Sequence, residues 1–230
     1  MVDVKTGGNY VLVKPVFNDF IKLDENNKIQ VIDDGSGRMS AVTGTVCQVP
    51  SKLYYEHIDM LYETTMELQV DDVVVFSKYS ALAAMEENEC FQDETGFYFL
   101  VPYYQIFAAK RIGQIFCKEN ESMEAWRKGQ IQSNEGTLII PTNGYLICEP
   151  VIEKTSDFTP DKANSQKAKV LITGSCNKKY KNGDPDDEDN IKVGDIILLD
   201  EYADLPCEYW ATFFDKPMLR IQRNLVTGIL

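Results

Sequence analysis

The chain carries six cysteines and a single histidine, His57, the residue types most often used to bind metals or attack carbonyl carbons. Their spacing supports neither chemistry. Cys47, Cys90, Cys117, Cys148, Cys176 and Cys207 lie far apart, with no C-x-x-C pair, so neither a zinc set nor a disulfide framework is predicted. His57 has no neighbouring Cys or Asp pattern from which a triad could be built. The run Asp184-Pro185-Asp186-Asp187-Glu188-Asp189 has the charge for calcium. It lacks the glycine and the closing glutamate of an EF-hand loop, and reads as a solvated acidic turn. Gly35-Ser36-Gly37 lacks the following helix and the Lys-Ser/Thr pair of a phosphate loop. No Gly-x-Gly-x-x-Gly follows a strand, which removes a dinucleotide site. The expectation is a non-enzymatic chain with no cofactor and no metal.

What remains is recognition. The stretch from Val16 to Thr43 is long and polar, and its centre holds a small apolar cluster, Ile29-Gln30-Val31-Ile32. Such a cluster either docks on a partner or packs back onto its own module or a neighbouring subunit. A second polar stretch, Ile152 to Lys167, has Phe158 as its one large apolar group. Trp126 and Trp210 read as core or interface anchors. The net charge of −13 argues against nucleic acid, whose phosphates need a basic surface, and against an anionic membrane face. The most apolar stretch, Leu100 to Ala109, is interrupted by Pro102 and Gln105 and is too short to span a bilayer. Residues 1 to 20 do not read as a secretory signal. A reducing cytoplasmic setting is therefore expected, with a virion as the alternative.

The elements that must position these residues occur twice. Gly8-Asn9-Tyr10-Val11-Leu12-Val13-Lys14-Pro15-Val16 returns as Asn143-Gly144-Tyr145-Leu146-Ile147-Cys148-Glu149-Pro150-Val151. Val70-Asp71-Asp72-Val73-Val74-Val75-Phe76 returns as Val193-Gly194-Asp195-Ile196-Ile197-Leu198-Leu199. The offset is 135 residues at Tyr10, 124 at Val46, 123 at Val70 and 119 from Leu100 to Leu219. Landmarks kept in order, with length changes confined to two places, describe one β module duplicated in tandem. The apolar runs are short and rich in β-branched and aromatic residues, and they end at Pro or at acidic turns, which predicts strands. Helix signals are few. Ser80 to Cys90 holds an Ala-rich run, Ser51 to Met66 has room for a helical turn or two, and Ser122 to Gly129 is a candidate in the connector. The expected layout is a first module over 1–111, a connector over 112–139 and a second module over 140–230.

These residues resemble the GroES family, the ten-kilodalton co-chaperonins. The resemblance rests on Tyr10 to Lys14, on Ile29-Gln30-Val31 within the first loop and on Gly44-Thr45-Val46. It continues through Val70 to Phe76, the excursion Tyr79 to Phe97, and Gln105 to Ala109. In the second copy it rests on Lys192-Val193-Gly194-Asp195-Ile196-Ile197 and on Asn224-Leu225-Val226-Thr227. It covers about 85% of the chain by order of motifs. It implies a mainly β fold of two tandem, irregular antiparallel β-barrels with short helical turns, assembling as a homo-oligomeric ring. It further implies a cap that binds a chaperonin through a mobile loop, with Ile29 and Val31 as apolar anchors. The alternative is a structural ring or adaptor subunit of a large assembly such as a tailed-phage virion.

Overall fold

The apolar run Tyr10-Val11-Leu12-Val13 places side chains on both faces of a strand and stops at Pro15, whose missing N–H cannot continue a ladder. In the computed structural model it is β1 (Tyr10–Pro15), and such short strands dominate the chain. The structure describes residues 5–17, 21–26, 28–32, 41–57, 60–64, 66–86, 90–112, 137–142, 144–153, 162–174, 178–180, 191–200, 218–221 and 223–230.

The other strands of the first half are β2 (Ile21–Leu23), β3 (Ile29–Val31), β4 (Ala41–Gln48), β5 (Leu53–His57) and β6 (Met60–Thr64). They continue with β7 (Val73–Ser77), β8 (Cys90–Asp93), β9 (Gly96–Pro102) and β10 (Ile106–Ile112). The later strands are β11 (Thr137–Pro141), β12 (Leu146–Glu153), β13 (Lys162–Thr173) and β14 (Lys178–Tyr180). The last three are β15 (Ile196–Leu199), β16 (Leu219–Ile221) and β17 (Val226–Ile229). Among the described residues one α-helix stands with them, α1 (Lys78–Glu86), which overlaps the stretch Ser80 to Cys90 whose alanines predict it. The Tyr79 N–H donates to the Ser77 hydroxyl at its start. The segment read as a helical turn between Ser51 and Met66 is instead the hairpin β5–β6. The register sets Tyr55 opposite Tyr62, and an aromatic cross-strand pair favours a sheet. The connector candidate Ser122 to Gly129 lies outside the described residues, as do Trp126, Trp210, Phe158, Gly35 to Gly37 and Asp184 to Asp189.

The chain divides into two units. The first is Met1–Arg111 with Cys176–Asp187, and the second is Ile112–Ser175 with Glu188–Leu230. Within the first unit, strands run in the order β8-β9-β1-β4-β7-β10. In the second the order is β16-β12-β13-β15-β17. With β9 set against β16, the two orders coincide strand for strand, and every described pairing between strands is antiparallel.

The registers coincide as well. Val13 pairs with Val46 and Cys148 with Val170. Thr45 pairs with Val73 and Lys169 with Ile196. Ala108 pairs with Val75 and Gly228 with Leu198. Both units carry a bulge at Cys47 or its counterpart Leu171, and a second at Phe107 or Thr227. In one place the ladder corrects the sequence alignment. Val13 faces Phe99 and Cys148 faces Leu219, so Leu219 answers to Phe99 rather than to Leu100. A slip of one residue would turn the strand's apolar set to the wrong face.

The cores correspond position by position. Leu146, Cys148, Ala168, Val170, Ile197, Leu199, Leu219 and Ile221 are buried together in the second unit. Their counterparts Val11, Val13, Val46, Val74, Phe76, Phe99 and Val101 are buried in the first, and Ala168 is answered by Gly44. A Cβ on Gly44 would stand 2.4 Å from Val13 Cγ1 and 2.7 Å from the Lys14 carbonyl oxygen, so no side chain fits. The first unit fills its space with Phe76 and Phe99 where the second has leucines, and gives up a methyl group at Gly44.

A 3₁₀ turn, Tyr103–Gln105, joins β9 directly to β10, although these strands lie four places apart in the order. In a flat sheet that separation is about 19 Å, at roughly 4.8 Å per strand, whereas three 3₁₀ residues rise about 6 Å. The sheet must therefore curl until its far strands meet end to end. The second unit does the same through Arg223–Leu225, between β16 and β17. The expected closed barrels are not formed among the described residues: no ladder joins β9 to β10 or β16 to β17. Strands meeting end to end at a turn do not lie side by side, and closure of a barrel needs that pairing.

Each unit clamps its bulge to a tight turn. Val46 N–H donates to the Asp72 carbonyl at 2.8 Å, and Asp71 N–H donates to the Val46 carbonyl at 2.9 Å. Val170, Asp195 and Gly194 repeat the pattern, with both bonds at 2.8 Å. The third residue of each turn has positive φ, 74° at Asp71 and 95° at Gly194, as a type II turn requires. Asp72 and Asp195 each accept a backbone N–H through Oδ2, from Gln69 at 2.8 Å and from Lys192 at 2.7 Å. Asp72 has a further partner. Arg111 donates from Nε to Oδ1 at 2.7 Å and from Nη2 to Oδ2 at 2.6 Å, with both residues buried. Asp72→Ala leaves the Arg111 charge buried and should cost about 3–5 kcal/mol. Asp195→Ala loses a turn hydrogen bond worth about 1 kcal/mol. Urea denaturation of the two variants is expected to show this gap, and equal losses would contradict it.

Candidate partner-binding hairpin

Ile29-Gln30-Val31 forms β3, the second strand of a hairpin with β2. Asp24 makes the turn. Its Oδ1 accepts the N–H groups of Asn26 and Lys28, both at 2.8 Å, and its own N–H donates to the Lys28 carbonyl at 2.8 Å. An aspartate that satisfies backbone donors in this way holds a turn without outside help. Ile21 faces Val31, Lys22 faces Gln30 and Leu23 faces Ile29. Side chains alternate along a strand, so Ile21, Leu23, Ile29 and Val31 share one face, and Lys22 and Gln30 share the other.

At Ile21 and Ile29 this apolar face turns inward. Ile21 is fully buried and Ile29 is 7% exposed, and β3 packs beside α1. Val31 and Ile32 are half-buried, while Gln30 is exposed. Of the two residues expected as anchors, Ile29 is thus buried within its own unit and Val31 is half-buried. Among the described residues of this region the exposed apolar side chains are others: Leu23 at 44%, Phe17 at 47% and Val16 at 48%. Phe17 meets Phe97 edge to face, with ring centroids 6.3 Å apart, a geometry aromatic pairs favour. Val16 N–H donates to the Thr43 carbonyl at 2.8 Å, which ties the entry of this stretch to its exit. The sequence reading missed Ile21 and Leu23. Their i, i+2 spacing ahead of Asp24-Glu25-Asn26-Asn27 mirrors Ile29 and Val31 and carries a hairpin signature.

Arg111 Nη2 also donates to the Glu67 carbonyl at 3.0 Å, and the Tyr103 hydroxyl donates to the Glu67 carboxylate. Glu67, Asp72, Tyr103 and Arg111 are all buried, so this network holds the turn, the 3₁₀ segment and β10 together. Cys47 and Cys90 are free thiols. Burial pushes the Cys47 and Cys90 thiols up, which keeps them in the poorly nucleophilic protonated form. Among the described residues no three His, Cys, Asp or Glu side chains gather as a metal site. No described helix is long and apolar enough to cross a membrane.

Compared with protein-family models, with curated proteins and with solved structures, the chain finds no match.

Because Ile29 is buried beside α1 and Leu23 is not, the two residues separate packing from docking. Ile29→Ala should lower stability by about 2–4 kcal/mol. Leu23→Ala should cost well under half as much and leave the fold's melting transition nearly in place. Thermal unfolding followed by circular dichroism checks both, and an Ile29→Ala variant as stable as the parent would refute the inward packing.

Proposed function

We propose that this chain is a non-enzymatic assembly protein. In this reading, two GroES-like β-barrel modules in tandem build a homo-oligomeric ring that acts as a structural ring or adaptor of a large assembly such as a tailed-phage virion. The observation behind it is the residue-for-residue repetition of strand order, register, bulges and core between the two units. A chain with two copies of one module presents each contact surface twice. Head-to-tail use of such surfaces closes into rings. The curl imposed by the 3₁₀ links supports the barrel-like reading of each module. Burial of Ile21 and Ile29 favours the structural role over the cap, since a docking loop must offer its anchors to the partner.

A second reading keeps the co-chaperonin-like cap. Its support is the exposure of Val16, Phe17 and Leu23 along the same stretch, which gives a chaperonin groove apolar side chains to hold.

Native mass spectrometry of the purified chain, alone and with a GroEL-type chaperonin plus nucleotide, separates these readings. A ring that ignores the chaperonin is the expected result. Deleting Asn27 to Asp34 should then disturb the ring itself. A ring that adds to the chaperonin only with nucleotide, and loses that binding while staying whole after the deletion, would establish the cap instead. A monomer under every condition would overturn both.

A further inference from the structure

The short strand β14 stands out of place. It follows β13 in the chain, yet Cys176–Asp187 belongs to the first unit, where β14 lies on β6 in a three-stranded sheet ordered β14-β6-β5. Lys178 pairs with Thr64, Lys179 with Glu63 and Tyr180 with Tyr62. On the other side of β6, Leu53, Tyr54 and Tyr55 pair with the same three residues.

The repeat explains the coincidence. β5 follows β4 as β14 follows β13, and an offset of 125 residues carries Leu53 to Lys178 and Tyr55 to Tyr180. This is one residue from the offset at Val46 and Val170, so β14 is the second repeat's version of β5. The same offset carries β6, Met60 to Thr64, onto Pro185-Asp186-Asp187-Glu188-Asp189. One proline and four acids make a composition that strands avoid, through the lost N–H and through repulsion of like charges. The second repeat thus has a β5 with no sequence for a β6 beside it, and its β5 takes the β6 of the first.

The other side of this sheet is closed. The Asn9 side chain accepts the Tyr54 N–H through Oδ1 at 2.6 Å and donates from Nδ2 to the Tyr54 carbonyl. It occupies the outer edge of β5 as a strand would, which blocks edge-to-edge pairing there. The edge of β6 is where this sheet receives a strand.

We propose that β14 is an exchange strand: in the assembled protein the edge of β6 receives β14 from a second copy of this chain. Every copy carries the same β6, and the register sets Lys179 opposite Glu63 and Tyr180 opposite Tyr62, so the match is specified by position and by complementary charge. Three residue pairs bind weakly by themselves. Within one chain the tether raises the effective concentration to the order of millimolar, and a neighbour competes only when assembly holds it as close. The inference therefore rests on the assembly reading above.

Disulfide trapping tests it. One chain carries Glu63→Cys and a second, differently tagged chain carries Lys179→Cys. A parallel pair uses Tyr62→Cys and Tyr180→Cys, since alternate positions of an antiparallel ladder differ in separation. The chains are mixed, assembled and oxidised, and each variant mixed with the unmodified chain gives the background from the native thiols. A covalent dimer bearing both tags, above that background, is the expected result. If native mass spectrometry shows oligomers but no dimer bears both tags, while a chain with both cysteines closes on itself, the exchange is refuted and the assembly reading stands. If only monomers form, both fail. If a chain with both cysteines closes neither way, the β14–β6 pairing itself is wrong.

Discussion

The clamp between each strand bulge and its tight turn is the constraint on which the rest of this structure depends. The bulge at Cys47 or Leu171 adds one residue, so the next ladder partner moves and the strand bends. The paired hydrogen bonds between Val46 and the Asp71-Asp72 turn, and between Val170 and the Gly194-Asp195 turn, fix where β7 and β15 begin. Once those strands start in register, their buried valines, isoleucines and leucines face the same core positions in both units. The 3₁₀ link then brings the last strand, β10 or β17, onto β7 or β15. In the first unit Arg111 reaches from that last strand back to Asp72, so the start and the end of the path are tied by one buried ion pair.

That scaffold leaves the connections free to differ, and recognition concentrates there. Between β1 and β4 the first unit grows a hairpin that buries Ile21 and Ile29 within its own unit and leaves Val16, Phe17 and Leu23 exposed. Between β4 and β7 it grows β5–β6. The second unit places in the corresponding slot a strand that belongs with the first unit and an acidic run that has no counterpart there. The two units share a core pattern and differ in their loops, as expected if the core sets the fold and the loops set the contacts.

The matching strand order of the two units was legible because turn chemistry and apolar runs recur with the same punctuation, Pro15 with Pro150 and Asp72 with Asp195. The mainly β class and α1 were legible for similar reasons, strand formers in one case and consecutive alanines in the other. The bulges were not, because Cys47 and Leu171 have nothing in common except position. The last strand was aligned one residue out because Leu100 and Leu219 are the same residue type, whereas the ladder selects the buried Phe99. The β5–β6 hairpin was read as helical because Leu53, Ile58, Leu61 and Met66 loosely fit that period, while its tyrosines argued for strands. In the hairpin at Ile29 the apolar cluster was visible. Which way it faces is a tertiary fact set by Ile21, Leu23 and α1. β14 gives no local signal at all, since Lys-Lys-Tyr becomes a strand only because β6 is there to pair with it.

Hydrogen exchange of individual backbone amides, followed by NMR, tests the central claim most directly. If the two units share one register, Val46 and Val170 should be protected alike, as should Asp71 and Gly194, whose N–H groups close the two clamps. Matched protection at these positions is the predicted result. Strong protection at Val46 and Asp71 with rapid exchange at Val170 and Gly194 would show that the second unit does not repeat the first, and the account built on that repetition would fall.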